Sequence, residues 1–180
     1  MVTSTKYLVL NCKFQIFFKP NLLLLIFIYS SSSCTSQNAI KMPLVGANST
    51  EVYLTKLEHK RIGIVANQTS VIFKNTTQTS YTHLVDSLIS RDIAIQKVFS
   101  PEHGFRGKAD ASEHVANGID TKTGLPIISL YGKNKKPSKE QLQGIDVMVF
   151  DIQDVGVRFY TYISTLHYVM EACAENNIPL

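Results

Sequence analysis

Short apolar runs alternate with amphipathic stretches along the chain from about residue 51 onward. The runs are rich in β-branched and aromatic residues and are bounded by polar or glycine-containing clusters, which is typical of strands. The run over 145–152 is continuously apolar, which predicts a strand covered on both faces of a sheet. The runs that predict strands are 61–66, 93–100, 126–131 and 145–152.

Two longer stretches place apolar residues at helical spacing, which predicts amphipathic helices over 81–91 and 161–177. Ser138 followed by Gln141 is a capping-box pattern and predicts the start of a short helix. Cys173, flanked by two alanines, is predicted to be a buried and unreactive thiol. Strands alternating with helices in this order predict an α/β fold with a mainly parallel sheet. The apolar positions are Leu84, Val85, Leu88 and Ile89 in the first helix and Leu166, Val169, Met170 and Cys173 in the second.

Polar clusters follow the predicted strands at their carboxyl ends. In an open α/β sheet that edge is where ligands bind, because the loops converge there. The candidate site therefore combines Asn67-Gln68-Thr69, Glu102-His103, Tyr131 and the segment 151–162. The common phosphate-binding, zinc-binding and nucleophile-elbow signatures do not occur. The sequence thus predicts neither an organic cofactor nor a metal, although Glu102, His103 and Asp151 could gather around an ion.

Charge is unevenly distributed along the chain, which has a formal net charge of +4, 44% hydrophobic residues and 18% charged residues. Three of the 18 basic residues precede Cys34 and no acidic residue does, so the remainder, with 14 acidic residues, is nearly neutral. This balance does not favour nucleic acid as a partner. An apolar run over 22–28 lies between the basic flank and Ser30–Ser33, which predicts a secretory signal over 1–34, too short for a comfortable membrane span.

Cys34 directly follows the small residues of this signal, as in a bacterial lipobox, although Ser31 stands where that motif usually has leucine. The pattern predicts lipidation of Cys34 and an exported, membrane-anchored lipoprotein that faces the periplasm. An ordinary signal peptide cut near Ser33 and an uncleaved anchor are the alternatives. The polar segment 35–50 predicts a tether, and 51–180 is the predicted folded domain.

Two dense polar clusters are candidates for chemistry. The cluster over 100–107 holds Glu102, His103 and Arg106 between a proline and two glycines, which predicts a rigid turn that aims polar side chains. A surface pair of Glu102 with Arg106 is the structural alternative. The cluster over 151–162 begins with Asp151 at the end of a buried strand, where a carboxylate is costly unless it is paired or functional. Pairing with Arg158 is the structural alternative there.

Four motifs together resemble the NamZ/YbbC-like family of exo-β-N-acetylmuramidases. They are VANQTS at 65–70, SPEHGFRG at 100–107, TGLP at 123–126 with SLYG at 129–132, and DIQDVG through RFYTY at 151–162. The resemblance implies a Rossmann-like, three-layer α/β domain followed by a smaller C-terminal domain. It also implies release of N-acetylmuramic acid from the non-reducing end of peptidoglycan fragments during cell-wall turnover. Because the sequence stops at 178–180 as another strand begins, we expect the chain to be truncated before that smaller domain.

Glycoside hydrolysis needs an acid that protonates the leaving oxygen and a second group that acts as nucleophile or activates water. The resemblance implies that Glu102 is the acid, that His103 orients or tunes it, and that Asp151 or Asp154 takes the second role. Retaining, inverting and substrate-assisted mechanisms all remain open.

The resemblance also implies a substrate-binding set. Arg106 and Arg158 suit the lactyl carboxylate of muramic acid, because a guanidinium can hold a carboxylate with two hydrogen bonds. Tyrosines can stack on a sugar face or bind its hydroxyls. The remaining substrate-binding candidates are Asn67, Gln68, Tyr131, Gln153, Tyr160 and Tyr162.

The leading hypothesis is therefore a cell-envelope glycosidase that acts without a cofactor. Its predicted partners are a peptidoglycan-derived saccharide and, through the lipid anchor, the membrane. The alternatives are a lipid-anchored, non-catalytic muropeptide-binding protein, an inactive fragment of the enzyme, and a metal-dependent hydrolase.

Overall fold

A five-stranded sheet forms the centre of the computed structural model, which describes residues 42–107 and 117–180. The predicted signal over 1–34, Cys34 and the first part of the predicted tether lie outside the described residues. The strand order is β5-β6-β4-β1-β7, and the pairs β6-β4, β4-β1 and β1-β7 are parallel, whereas β5 pairs antiparallel with β6 at one edge. The mainly parallel α/β sheet predicted from the sequence is confirmed. Its strands are β1 (Ile62–Ala66), β4 (Ile95–Ser100), β5 (Gly118–Ile119), β6 (Pro126–Ser129) and β7 (Val147–Asp151).

Helices cover both faces of this sheet and make the three layers. Neighbouring residues of a strand point to opposite faces, so Ile64 of β1 joins a first apolar cluster and Val65 joins a second. Helices α1 and α2 pack on the first cluster through Leu57, Leu84, Val85 and Leu88. Leu142, Val169, Ala172 and Cys173 bring α3 and α4 to the second. The helices are α1 (Thr50–Leu57), α2 (Leu84–Ile89), α3 (Lys139–Leu142) and α4 (Tyr162–Glu175).

The helix predicted over 81–91 begins later than expected. Tyr81–His83 is a strand, β3, which pairs antiparallel with β2 (Val71–Phe73) to make a hairpin outside the main sheet. The sequence interpretation missed this hairpin, and the polar cluster after β1 therefore leads into a strand rather than directly into a helix. The residues Tyr-Thr-His favour extended backbone, and the His83 side chain then accepts the N–H of Val85 as the cap of α2.

Strand β7 is half-buried. Val149 packs on the first cluster and Phe150 on the second, so apolar contacts occur on both faces as predicted. Only Met148 of this strand is fully buried, because β7 is the edge strand of the described sheet. The N–H of Met148 donates to the carbonyl of Pro179 at 2.9 Å.

Helix α4 buries a stripe slightly different from the predicted one. Val169 and Cys173 are buried as expected, whereas Met170 is 53% exposed and Leu166 is half-buried. Burial raises the pKa of the Cys173 thiol, which keeps it protonated and inert, as predicted. Tyr162, Thr165 and Ala172 complete the buried stripe.

The capping box predicted at the start of α3 is confirmed in both directions. The N–H of Gln141 donates to Ser138 Oγ at 3.3 Å, and the N–H of Ser138 donates to Gln141 Oε1 at 2.9 Å. Two otherwise unpaired donors at the helix N-terminus are thereby satisfied.

The end of the predicted tether belongs to the folded domain. Gly46–Asn48 forms a single 3₁₀ turn, and Ala47 is buried in the first cluster. The side-chain amide of Asn48 donates to the Phe73 carbonyl at 2.7 Å and accepts the Phe73 N–H at 2.9 Å. The predicted boundary at residue 51 is therefore wrong, because a polar side chain that pairs with backbone gives no apolar pattern in the sequence. No helix within residues 42–107 and 117–180 is long and apolar enough to cross a membrane.

Candidate active site

Three loops meet at the carboxyl edge of the sheet, after β1, β4 and β7. They enclose a cleft of about 300 Å³, which we call the edge cleft. Its position agrees with the general rule that ligand sites in open α/β sheets form beyond the carboxyl ends of the strands. The described residues that line it are Gln68, Thr69, His103, Gln153, Val155, Tyr160 and Tyr162.

Glu102 is half-buried beside this cleft and is oriented by a hydroxyl group. Thr161 Oγ1 donates to Glu102 Oε2 at 2.9 Å. Thr161 is the N-cap residue of α4, but its side chain makes no hydrogen bond to the helix backbone. The hydroxyl that would ordinarily cap the helix thus serves the carboxyl group instead. The sequence interpretation missed Thr161, because its type and position are those of an ordinary cap.

His103 has a left-handed backbone, with φ of +70°, and Gly104 follows at +80°. The Gly104 N–H closes the turn by donating to the Pro101 carbonyl at 3.1 Å. A left-handed conformation is strained for a residue with a bulky side chain, and such strain is concentrated at functional sites. Here it places the imidazole on the wall of the edge cleft.

Asn67 is fully buried and organises the loop after β1. Its Oδ1 accepts hydrogen bonds from the Thr69 N–H at 2.9 Å and from Thr69 Oγ1 at 2.7 Å. The Asn67 N–H donates to Ser70 Oγ at 3.1 Å. The tight turn that results presents Gln68 and Thr69 to the edge cleft.

His83 anchors the same loop from the hairpin, a role that the sequence interpretation missed. Its Nδ1 accepts the Val85 N–H at 3.3 Å, so its Nε2 carries the proton that bonds to the Asn67 carbonyl at 2.9 Å. Burial lowers the pKa of His83, which keeps the imidazole neutral. Both ring nitrogens are therefore satisfied in the uncharged form. The imidazole and the Phe105 ring meet edge to face, with their centroids 4.9 Å apart.

Two tyrosines form an aromatic wall of the edge cleft. The rings of Tyr160 and Tyr162 meet edge to face with their centroids 5.7 Å apart. Burial raises the pKa of Tyr162, the neighbouring Asn67 amide partly offsets this, and the nearby Tyr160 and Glu102 raise it further. The phenol is thus a neutral hydrogen-bond donor. Tyr131 is half-buried, its N–H donates to Ser129 Oγ at 3.2 Å, and it is not part of the cleft wall.

Asp151 lines a second and larger cavity rather than the edge cleft. Burial raises the pKa of its carboxyl group, and a hydrogen bond from Ser70 partly offsets that effect. Ser70 Oγ also donates to the Asp151 carbonyl, which ties the end of β7 to the loop after β1. Asp154 is exposed in the loop beyond β7. Asp151 and His103 therefore line different cavities.

Arg106 is engaged in ion pairs within the fold, and its role as a substrate-binding residue stays a prediction. Its Nη2 contacts Asp86 Oδ1 at 2.9 Å and Asp120 Oδ2 at 2.7 Å, and its guanidinium lies 4.4 Å from the Phe105 ring centroid. Burial alone would raise the pKa of Asp120, but hydrogen bonds from Arg106 and Thr123 outweigh it and lower the value to about 2. Arg106 pairs with these carboxylates rather than with Glu102, and it is not in the wall of the edge cleft.

Arg158 is exposed, and no ion pair among residues 42–107 and 117–180 includes it. The alternative that it neutralises Asp151 is therefore wrong. Within the same described ranges, no three His, Cys, Asp or Glu side chains come together so that they could hold a metal ion.

A three-layer α/β domain with its cleft at the carboxyl edge of the sheet is thus the class of protein that the fold defines. A family model described as "Exo-beta-N-acetylmuramidase NamZ, N-terminal" matches residues 62–180, and the chain belongs to this family. The chain is 50% identical over 128 residues to the peptidoglycan beta-N-acetylmuramidase NamZ of Bacillus subtilis (strain 168). That alignment covers 71% of this chain and 30% of the relative, so the chain spans about a third of the length of the relative it matches.

Two solved structures share the fold, both of DUF1343 family proteins from Bacteroides fragilis NCTC 9343. The first is 41% identical, with a TM-score of 0.60, and the match covers 72% of this chain and 30% of the solved chain. The second is 40% identical, with a TM-score of 0.60, and the match covers 75% of this chain and 32% of the solved chain. These matches support the assignment of the α/β domain to one family.

Proposed function

We propose that the chain contributes Glu102 and the cleft beside it to the active site of a glycosidase. This enzyme releases N-acetylmuramic acid from the non-reducing end of peptidoglycan fragments. The observation that carries this proposal is the carboxyl group of Glu102, oriented by Thr161 beside a cleft with an aromatic wall. Family membership and the identity to a peptidoglycan beta-N-acetylmuramidase support the substrate class. Turnover of cell-wall fragments is the cellular role that fits this chemistry.

In the proposed reaction Glu102 protonates the glycosidic oxygen as the bond to the leaving group breaks. Such proton transfer requires a carboxyl group held at a defined position, and the Thr161 hydroxyl holds it. Tyr160 and Tyr162 pack against the sugar face, and the amides of Gln68 and Gln153 bind its polar substituents. The neutral Tyr162 phenol is placed to donate to an oxygen of the substrate.

The second role in hydrolysis belongs to Asp154, to Asp151 or to the acetamido group of the substrate. Removal of one carboxylate by Asp151→Asn or Asp154→Asn lowers turnover strongly if that carboxylate is the nucleophile, the base or the group that orients the acetamido substituent. If neither variant does so, the acetamido group takes the role. A substrate whose acetamido oxygen is replaced by sulfur then reacts more slowly.

The proposal is tested by the turnover of a chromogenic N-acetylmuramide by the full-length gene product. Glu102→Gln is expected to lower kcat/KM by about 10²- to 10⁴-fold, the usual contribution of a general acid. Glu58→Gln, at an exposed position on the chain before β1, is the matched control and is expected to leave turnover unchanged. Thermal unfolding of both variants shows whether either change acts through stability.

Unchanged turnover in Glu102→Gln overturns the role of Glu102. Tight binding of N-acetylmuramic acid without any turnover by the parent protein supports the alternative, a non-catalytic muropeptide-binding protein. Loss of activity to a chelator supports the metal-dependent alternative.

We also propose that the protein is exported and anchored to a membrane of the cell envelope, facing the periplasm, through a lipid on Cys34. The basic flank, the apolar run over 22–28 and the small residues before Cys34 support this proposal. Labelled palmitate is expected to enter the parent protein and not Cys34→Ala. Equal labelling of both would contradict lipidation at this residue.

A further inference from the structure

A second cavity of about 570 Å³ adjoins the edge cleft, and we call it the hairpin cavity. Gln68, Thr69 and Gln153 line both spaces, so the two cavities are neighbouring parts of one groove. Phe73 and Tyr81 of the β2-β3 hairpin form one wall of the hairpin cavity, and the end of β7 forms the opposite wall.

Hydrogen bonds and ring packing hold the hairpin wall of the cavity in place. Asn48 makes two hydrogen bonds to the Phe73 backbone, and the Leu84 N–H donates to the Ser70 carbonyl at 2.8 Å at the base of the hairpin. The rings of Phe73 and Tyr81 meet edge to face with their centroids 6.3 Å apart. Tyr81 is nevertheless 60% exposed, so a large aromatic surface is held rigidly but is not covered.

The lining chemistry of the hairpin cavity favours an uncharged ligand. None of the described residues that line it is a lysine, arginine or histidine, so an anionic group has no charged partner there. Asp151 is the one carboxyl group among them, and burial raises its pKa. An aromatic surface with the amides of Gln68 and Gln153 beside it suits a ligand that has both an apolar face and hydrogen-bonding groups. A pyranose ring with an acetamido substituent has both.

We propose that the hairpin cavity is a second saccharide subsite, which binds the N-acetylated sugar on the leaving-group side of the bond that is cleaved. This proposal rests on the proposed function, because it assigns the edge cleft to the sugar that is released. The continuity of the two spaces through Gln68, Thr69 and Gln153 places neighbouring sugars of one chain in neighbouring cavities. The aromatic surface of Tyr81 then contacts the second sugar.

Fluorescence tests the subsite without any need for turnover. The 180-residue chain contains no tryptophan, so in this chain Tyr81→Trp places a single indole in the hairpin cavity. Phe159→Trp is the matched reporter beside the edge cleft. Phe159 is 83% exposed, and its ring centroid lies 5.8 Å from that of Tyr160, which lines the cleft. Both variants are made with Glu102→Gln, so that the ligand is not consumed.

N-acetylmuramic acid alone is expected to change the emission of Phe159→Trp and not that of Tyr81→Trp. The disaccharide in which N-acetylmuramic acid is linked to N-acetylglucosamine is expected to change both. If the disaccharide changes only the Phe159→Trp reporter, the subsite is overturned. If N-acetylmuramic acid carrying a dipeptide changes the Tyr81→Trp reporter while the disaccharide does not, the cavity binds the peptide stem and the saccharide subsite is likewise overturned.

Kinetics give a second and separate readout. Tyr81→Ala is expected to lower kcat/KM about tenfold for the disaccharide, which corresponds to one aromatic contact, and to leave inhibition by free N-acetylmuramic acid, which has no leaving group, within about twofold. Tyr81→Phe keeps the ring and is expected to behave like the parent. Equal losses of disaccharide turnover and of inhibition by N-acetylmuramic acid overturn the subsite. Absence of turnover in the parent protein bears only on the proposed function, since the fluorescence measurement still reports on the cavity.

Discussion

The loop after β4 has two ends that behave differently, although they lie only a few residues apart. At its beginning Glu102 lies beside the edge cleft and accepts a hydrogen bond from Thr161, and His103, in a left-handed backbone conformation, lines the cleft. At its end Arg106 is fixed between Asp86 and Asp120 and packs on Phe105. The contrast teaches that one cluster of charged residues holds both the proposed acid and an ion-paired anchor.

Two arginines of the molecule differ in the same way in their surroundings. Arg106 and Arg158 are equally suited by type to bind a carboxylate. The first is half-buried and ion-paired within the fold, whereas the second is exposed and belongs to none of the ion pairs in the part of the chain that the structure describes. Of the two, only Arg158 keeps its guanidinium available for a ligand.

The largest expected effect comes from breaking the anchor. Arg106→Met leaves Asp120 buried without its cation and is expected to lower the free energy of unfolding by about 3–5 kcal/mol, measured by urea denaturation. Arg61→Met is the matched control, because Arg61 and Asp146 form an exposed pair whose loss is expected to leave the unfolding midpoint almost unchanged. Similar midpoints for the two variants would remove the distinction between the anchor and an ordinary surface pair.

A smaller effect is expected at the functional end of the loop. Thr161→Val removes the hydroxyl that donates to Glu102 and thereby destabilises the ionised carboxylate. The limb of the pH–rate profile that reports Glu102 is expected to move to higher pH by about one unit. This shift corresponds to the loss of about 1.4 kcal/mol of stabilisation of the carboxylate. Thr161→Ser keeps the hydroxyl and is expected to restore the parent profile. An unmoved limb in Thr161→Val, with turnover lowered at every pH, would mean that Thr161 acts only through the packing of α4.

The smallest effect is a change in the pH dependence of stability. Because burial lowers the pKa of His83 in the folded chain below its ordinary 6.5, the unfolded chain takes up the proton first as the pH falls. The contribution of His83 to stability is therefore fully present above pH 6.5 and is lost as the pH falls toward the folded pKa. His83→Gln is expected to lower stability at pH 8 but to flatten its decline as the pH falls below 6.5. Parallel curves for parent and variant would show that His83 is not the group responsible.

Asp120 supplies an internal comparison at lower pH. Its pKa of about 2 in the folded chain lies below the ordinary 3.8, so its contribution to stability is present above pH 3.8 and is lost as the pH falls through 2. Asp120→Asn removes this acid limb, whereas His83→Gln leaves it in place. The two limbs thus separate the anchor at Arg106 from the anchor of the loop after β1.

Much of the fold could be predicted because burial leaves a periodic pattern. The continuous apolar runs matched β1, β4, β6 and β7, and the capping box at Ser138 gave the start of α3. The β2-β3 hairpin and the turn at Asn48 could not be predicted in this way. Their stability comes from backbone pairing with a distant segment, which requires no particular alternation of apolar residues.

The sequence by itself determined the α/β class, the family and the loops that meet at the edge of the sheet, because these depend on local patterns and on motifs in a fixed order. Only the tertiary structure decided which charged residue does what. Arg106 lies closer to Glu102 in sequence than Thr161 does, yet it pairs with Asp86 and Asp120 while Thr161 reaches Glu102. The physical reason is that the strength of a polar contact depends on distance and burial in the folded chain, and residue type and spacing along the sequence fix neither.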